Sequence, residues 1–162
     1  MTLLAPTYAM AQALNRARHS GVRANPIQRT PDALFARLDA EFDFTLDAAA
    51  SARNAKCPRY FTKRDDALRQ RWTGRVWLNP PYGAGIGDWM RKARLSAEQG
   101  ATVVCLVPSL TDMAWWHDEV LPHAAEIRYI RGRVRFVHED GYPAISGAFR
   151  PHAVIVYRPR GR

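Results

Sequence analysis

One tetrapeptide combines residue types that can activate a weak nucleophile: Asn79-Pro80-Pro81-Tyr82. An amine conjugated to an aromatic ring is a poor nucleophile, because its lone pair is delocalised into the ring. The Asn79 side-chain oxygen and the Pro80 carbonyl can accept both amine hydrogens and free that lone pair for in-line attack on a methyl sulfonium. Prolines hold such acceptors in place, which supplies much of the catalysis. Tyr82 adds a flat face for a planar base, and a base in a duplex must be flipped out to reach it.

The neighbouring elements place this tetrapeptide at the end of a strand. Gly74–Asn79 has strand character and stops at the double proline, where the chain must turn. Phe42–Asp47 alternates and stops at a turn of small residues, and Ala101–Val107 is a nearly continuous apolar run typical of a buried parallel strand. Ligands of open α/β sheets lie outside the carboxyl ends of the strands, so Asp47 and Asn79 are expected to share one crevice.

Helical patterns separate these strands. Thr30-Pro31-Asp32 predicts a helix start in which Thr30 is the cap and Pro31 takes the first helical position. An apolar stripe from Ile86 predicts a second helix that closes at Gly100. The next segment predicts a third helix over Ser109–His123, with Met113, Trp116 and Val120 facing inward. The remaining predicted strands are Glu126–Ile130, Val134–Val137 and Ala153–Tyr157.

This order of elements predicts an α/β protein whose sheet is mostly parallel with an antiparallel edge. One domain is expected over residues 26–162, preceded by a basic arm or a short helix over residues 1–25. Asn-Pro and Pro-Pro dipeptides also mark ordinary turns, so the tetrapeptide gains its weight from its position at a strand end.

The charge of the chain favours a polyanionic partner. Lys and Arg total 24 against 15 acidic residues, which gives a net charge of +9. Such a surplus attracts nucleic acid through phosphate neutralisation and counterion release. The candidate phosphate contacts are Lys63, Arg64, Arg131 and Arg133, with Arg128 and Arg135 beside them. A solvated positive face is the alternative interpretation of any one of them.

Other classes of site find no support in the sequence. Cys57 and Cys105 are the only cysteines and form no C-x-x-C pair, and the five histidines have no metal-ligand spacing, so no metal is expected. No apolar run is long enough to span a membrane, and Met1–Met10 has no basic region typical of a secretory signal. The expected compartment is the cytoplasm.

Several segments in this order resemble the phage-type DNA N-6-adenine methyltransferases, often called the phage Dam family. The resemblance runs from about Asn25 to Tyr157. Its segments are Thr30-Pro31, FTLDAAAS (44–51), NAKCPRYFT (54–62), DDAL (65–68), VWLNPPYG (76–83), GATVVCLVP (100–108), TDMAWWHD (111–118) and IRGRVRF (130–136). The departures are Gln28 and Leu110, where many relatives carry Trp and Arg.

The resemblance implies a class I (Rossmann-like) methyltransferase fold, S-adenosylmethionine as cofactor, and double-stranded DNA in a bacterial or phage-infected cell as substrate. It implies methylation of a flipped adenine at N6, in protection or restriction-modification of phage DNA. Asn79, Pro80, Pro81 and Tyr82 would be catalytic. The implied cofactor-binding residues are Thr30, Pro31, Asp47, Ala48, Ala49, Asp65, Asp66 and Asn79. Which acid binds the cofactor ribose stays open.

Two alternatives remain at this stage. The same tetrapeptide serves methylation of RNA amino groups and of glutamine amides in proteins, and the chemistry does not separate these substrates from DNA. The departures at Gln28 and Leu110 also leave open a non-enzymatic nucleic-acid binder with the same fold.

Overall fold

The computed structural model describes residues 29–137 and 148–159, so the predicted arm over residues 1–25 lies outside the described residues. Its sheet has five strands in the order β1-β2-β3-β5-β4. The strands are β1 Leu46–Asp47, β2 Arg75–Leu78, β3 Thr102–Pro108, β4 Glu126–Tyr129 and β5 His152–Tyr157. β1, β2 and β3 are parallel, and β5 is antiparallel to β3 and β4 on either side of it. The predicted α/β class with a mostly parallel sheet is confirmed, and the reversed strand lies one position inside the edge.

Both faces of the sheet are covered. Helix α1, Asp32–Phe42, buries Leu38 and Phe42 with Trp77 and Val104, whereas helix α2, Ile86–Glu98, packs on the opposite face. Consecutive strand residues point to opposite faces, so neighbours such as Val103 and Val104 enter different clusters. This explains why the third strand appears in the sequence as an unbroken apolar run.

The predicted helix over Ser109–His123 is shorter in the structure. Helical geometry covers only residues 114–120 and ends in a π-helical turn, Trp116–Val120. Trp116 and Val120 are buried as predicted, whereas Met113, also predicted inward, is 45% exposed. The wider turn, in which the Leu121 N–H donates to the Trp116 carbonyl, lets the adjacent Trp115 and Trp116 both pack inward. Neither tryptophan is therefore available for stacking on a base.

Two other boundaries differ from the predictions. The segment Phe42–Asp47 contains the end of α1, a left-handed Asp43 and only two strand residues, because the helix continues to Phe42. Val134–Val137 forms no strand: Val137 makes one isolated bridge with Arg29, while Val134 and Phe136 are buried in the core. Alternation caused by core packing was thus mistaken for strand pairing.

Candidate active site

Asp47 and Asn79 lie at the same edge of the sheet, as predicted. Asp47 ends β1 and is in register with Trp77 of the neighbouring parallel strand β2. Asn79 directly follows Leu78, the last residue of β2. The two polar side chains therefore stand at adjacent carboxyl ends, which is where open α/β sheets bind ligands.

Hydrogen bonds orient the Asn79 amide. Its Nδ2 donates to Oγ1 of buried Thr30 at 3.2 Å, and the Tyr82 hydroxyl donates to its Oδ1 at 2.8 Å. The amide oxygen consequently lies on the Tyr82 side of the half-buried residue. The predicted capping role of Thr30 is wrong, because α1 has Pro31 at its N-cap position and no side-chain cap. Thr30 instead links the start of α1 to the end of β2.

The two prolines hold the corner in one backbone conformation. Pro80 is buried and Pro81 exposed, and no peptide bond among the described residues is cis. Within residues 29–137 and 148–159, no recorded backbone hydrogen bond occupies the Pro80 carbonyl. The ring of Pro80 fixes its φ, and the following Pro81 restricts the backbone of Pro80 to extended conformations, so the direction of this carbonyl is restrained. The corner therefore presents the Pro80 carbonyl without a change of backbone conformation.

Tyr82 is held by an aromatic cluster. Its ring lies 5.5 Å from the His152 ring and 6.1 Å from Phe136, measured between centroids, and its hydroxyl also comes within 3.3 Å of the Leu106 carbonyl. Burial raises the pKa of the Tyr82 phenol, so the hydroxyl stays a donor at neutral pH. The stacking role foreseen for this ring stays a prediction.

His152 is a site residue that the sequence analysis missed. It is 3% exposed, and its Nδ1 lies 3.0 Å from the Arg150 carbonyl, so Nδ1 carries the proton and Nε2 is an acceptor. Among the described residues, that buried Nε2 has no hydrogen-bond partner, and neither has the Oγ of Ser109, which follows the last residue of β3. Burial, together with the smaller effect of the nearby positive charge of Arg133, lowers the pKa of His152 to about 4, although the hydrogen bond to the Arg150 carbonyl opposes this shift. The only sequence signal for burial of His152 is its position directly before the apolar run Ala153–Tyr157.

The neutral state of His152 makes stability depend on pH. The pKa of His152 in the folded chain lies below its unfolded value of 6.5. At pH values between these two pKa values the unfolded chain binds more protons than the folded chain, so the free energy of unfolding falls as the pH is lowered. This group should contribute a loss of about 2 kcal/mol in the free energy of unfolding between pH 7 and pH 5. Urea unfolding of the wild type and His152→Phe at both pH values measures it. Identical pH dependence in the two proteins would contradict the assignment.

Asp47 organises the loop that follows β1. Its Oδ1 accepts from the Ala49 N–H at 3.2 Å and its Oδ2 from the Lys56 N–H at 3.0 Å. Burial raises the pKa of this carboxyl, and the two N–H donors oppose that shift. The next two residues are Ala48, which is buried, and Ala49, which is half-buried. Because both are alanines, the backbone here carries no bulky side chain. The Lys56 side chain forms an ion pair with Asp32 at the start of α1.

The acidic pair predicted to bind cofactor stands apart from these contacts. Asp65 ends the first of two short 3-10 turns, Lys63–Asp65 and Ala67–Arg69, Asp66 connects the two turns, and both aspartates are exposed. The Asp65 carboxylate accepts from the N–H and hydroxyl of Thr62, which lower its pKa. Among the described residues, no contact of either aspartate with Asp47 or Asn79 is recorded. Their cofactor role stays a prediction.

The arginines near β4 fall into two groups. Arg128 is fixed by Glu41 and Glu126 and lies over the Phe42 ring, so it is no free phosphate contact. Arg131 and Arg133 are exposed just beyond the carboxyl end of β4. Because β4 runs in the same direction as β2, that end lies at the edge that carries Asn79. Lys63 and Arg64 are also exposed, on the first 3-10 turn.

The described residues contain neither a cluster of metal ligands nor a long apolar helix. No cluster of three His, Cys, Asp or Glu side chains among them can hold a metal ion. No helix in the part of the chain that the structure describes is long and apolar enough to cross a membrane.

The fold and the site define an α/β protein with a proline-locked asparagine corner at the carboxyl edge of a mixed sheet. A model of one family, the DNA N-6-adenine-methyltransferases (Dam), matches residues 21–161. The chain therefore belongs to the DNA N-6-adenine-methyltransferase (Dam) family.

Two phage proteins illustrate this relationship. The DNA N-6-adenine-methyltransferase of Escherichia phage T1 is 28% identical over 148 residues, covering 80% of this chain and 61% of that protein. The DNA N-6-adenine-methyltransferase of Haemophilus phage HP1 is 28% identical over 119 residues, covering 72% of this chain and 68% of that protein. The chain thus spans less than two thirds of the T1 protein.

A solved structure also matches. It is a SAM-dependent O-methyltransferase from Thermotoga maritima, 12% identical with a TM-score of 0.44, and the match covers 100% of this chain and 69% of that one. A likeness at this level says nothing about substrate.

Proposed function

We propose that this chain is an S-adenosylmethionine-dependent DNA methyltransferase that methylates N6 of a flipped adenine, acting in the cytoplasm of a bacterial or phage-infected cell, where its substrate lies. The observation that carries the proposal is the Asn79–Pro80 corner, with its amide oxygen oriented by Thr30 and Tyr82 at the carboxyl edge of the sheet. Membership of the Dam family and the net charge of +9 support DNA as the substrate.

The residues around Asp47 fit a nucleoside-type cofactor. Ala48 and Ala49 let a ligand approach the backbone closely, as small residues do in dinucleotide sites. Thr30 and Pro31 stand at the start of α1, whose N-terminus favours a carboxylate. Asp47 would hold the loop in shape, because each of its carboxylate oxygens accepts a backbone N–H from it.

The chain itself would contribute acceptors, orientation and exclusion of water. Bound S-adenosylmethionine supplies the electrophilic methyl group. Asn79 Oδ1 and the Pro80 carbonyl would accept the two hydrogens of the adenine amine and so localise its lone pair on nitrogen. The Tyr82 hydroxyl now donates to the same Oδ1, so adenine binding would require this hydroxyl to share or yield that oxygen. The proton released after transfer passes to water.

Exposed arginines at the same edge would hold the DNA backbone. We expect Arg131→Ala with Arg133→Ala to lower DNA affinity on the order of tenfold and to reduce the slope of log affinity against log salt by about 1 to 2. Filter binding across a salt series measures both quantities. Arg91→Ala removes an equally exposed arginine from the middle of α2 and serves as the control. An unchanged salt slope in the double variant would show that Arg131 and Arg133 do not contact the DNA backbone.

The substrate is tested by competition between classes. The purified chain is incubated with methyl-labelled cofactor and equal amounts of adenine-containing DNA, RNA and a glutamine-rich protein. The proposal predicts label in DNA alone. Label in RNA or protein alone would contradict it in favour of those substrates. A chain that labels nothing, and shows no cofactor binding by calorimetry, would be a non-enzymatic binder.

A further inference from the structure

The most exposed large apolar side chain among the described residues stands beside the proposed active site. Phe149 is 87% exposed, above Tyr129 at 65% and Leu121 at 51%. Single exposed apolar residues are common on protein surfaces, so exposure alone assigns nothing. Its position and its neighbours give the residue its significance.

Two contacts locate Phe149 at the carboxyl edge of the sheet. β5 begins at His152, which is in register with Pro108, the last residue of β3, and the Ser109 N–H donates to the Pro151 carbonyl. The His152 ring lies against Tyr82 of the proposed catalytic corner. Three residues of chain reach at most about 10 Å, so the Phe149 Cα lies within about that distance of the Cα of His152, whose ring packs against Tyr82.

Positive charge lies next to this side chain and on the segment bonded to its neighbour. The Arg150 guanidinium lies over its ring at 6.0 Å. The Ala148 N–H donates to the Val134 carbonyl, which ties the segment to the one that carries Arg131 and Arg133. Within the described ranges, none of these three arginines forms a recorded ion pair. An apolar ring near exposed arginines that form no ion pair with the described residues fits a polyanion that also has flat apolar faces to stack on.

We propose that Phe149 is a wedge that enters the DNA duplex at the target base pair and fills the space left by the extruded adenine. This inference rests on the proposed function and adds the residue that stabilises the flipped state. Apolar side chains that enter base stacks offset the cost of unstacking, and a ring backed by a guanidinium extends the stacking surface. Arg131, Arg133 and Arg150 would hold the phosphates on either side.

The test compares Phe149→Ala with Phe149→Trp, after the wild type has been used to map a methylated adenine. Two duplexes carry that adenine, one opposite thymine and one opposite an abasic site where extrusion needs little help. We expect Phe149→Ala to methylate the paired duplex on the order of tenfold to a hundredfold more slowly than the wild type. It should methylate the abasic duplex at close to the wild-type rate. Phe149→Trp should retain activity on both.

The control and the contradicting outcomes are distinct. Leu121→Ala removes another exposed apolar residue, between the π-helical turn and the opposite end of β4, and should leave both rates unchanged. Equal losses on both duplexes, or no loss on the paired duplex, would overturn the wedge. A wild-type chain that methylates neither duplex would instead overturn the proposed function.

Discussion

Replacing Asn79 with alanine should lower the rate of methyl transfer to DNA by about a hundredfold to a thousandfold or more, the range seen when one preorganised group is removed from a reacting centre. The variant loses the Asn79 Oδ1, which accepts a hydrogen bond from the Tyr82 hydroxyl. It also loses the Nδ2 group, which donates to Thr30 and so orients the amide. Single-turnover assays with labelled cofactor measure the rate. Calorimetry should show a cofactor affinity within about tenfold of the wild type, since only one neutral hydrogen-bonding side chain is lost.

Two further variants separate chemistry from positioning. Asn79→Asp keeps an oxygen acceptor at the same place and should retain part of the activity. Thr30→Val removes the Oγ1 that accepts from Asn79 Nδ2 and should lower the rate without removing either proposed acceptor. Full activity in Asn79→Ala would refute the role of this corner.

Replacing Asp47 with alanine should have the second largest effect. The change leaves the N–H groups of Ala49 and Lys56 without their acceptors, and the free energy of unfolding should fall by about 2 to 4 kcal/mol. The loop would no longer keep one shape, so cofactor affinity should fall at least tenfold, by the cost of ordering it again on binding. Urea unfolding and calorimetry measure the two quantities.

The isosteric variant shows whether shape or charge matters at this position. Asp47→Asn keeps one acceptor and relieves the burial of a charge, so its loss of stability should be the smaller of the two. Asp88→Asn changes an exposed aspartate on α2 and should alter neither quantity. If Asp47→Ala bound the cofactor with wild-type affinity, the loop after β1 would not be part of the cofactor site.

The sequence predicted the strand ends because local signals mark them. A double proline after Leu78 and small residues after Asp47 stop both strands, and the parallel sheet then brings the two ends together. The apolar run of β3 likewise identified a strand buried on both faces. These signals depend on near neighbours in the chain, so a single sequence contains them.

The contacts that complete the site join residues distant in the chain. Thr30 carried a helix-cap signal, but its hydroxyl is taken by Asn79, 49 positions away. In the sequence, Arg128 has the same signal as its neighbours Arg131 and Arg133, but its guanidinium pairs with Glu41, 87 positions away. The burial of the His152 ring depends on packing against Tyr82, 70 positions away, and Phe136. No periodicity or spacing encodes such pairings.

A structure of the chain with S-adenosylhomocysteine and a duplex carrying a mapped target adenine would test the central claim most directly. The account predicts an extruded adenine whose N6 lies about 2.7 to 3.2 Å from both the Asn79 Oδ1 and the Pro80 carbonyl oxygen, the usual range for N–H···O hydrogen bonds. An adenine still stacked in the duplex, or an amine bound by other groups, would contradict it.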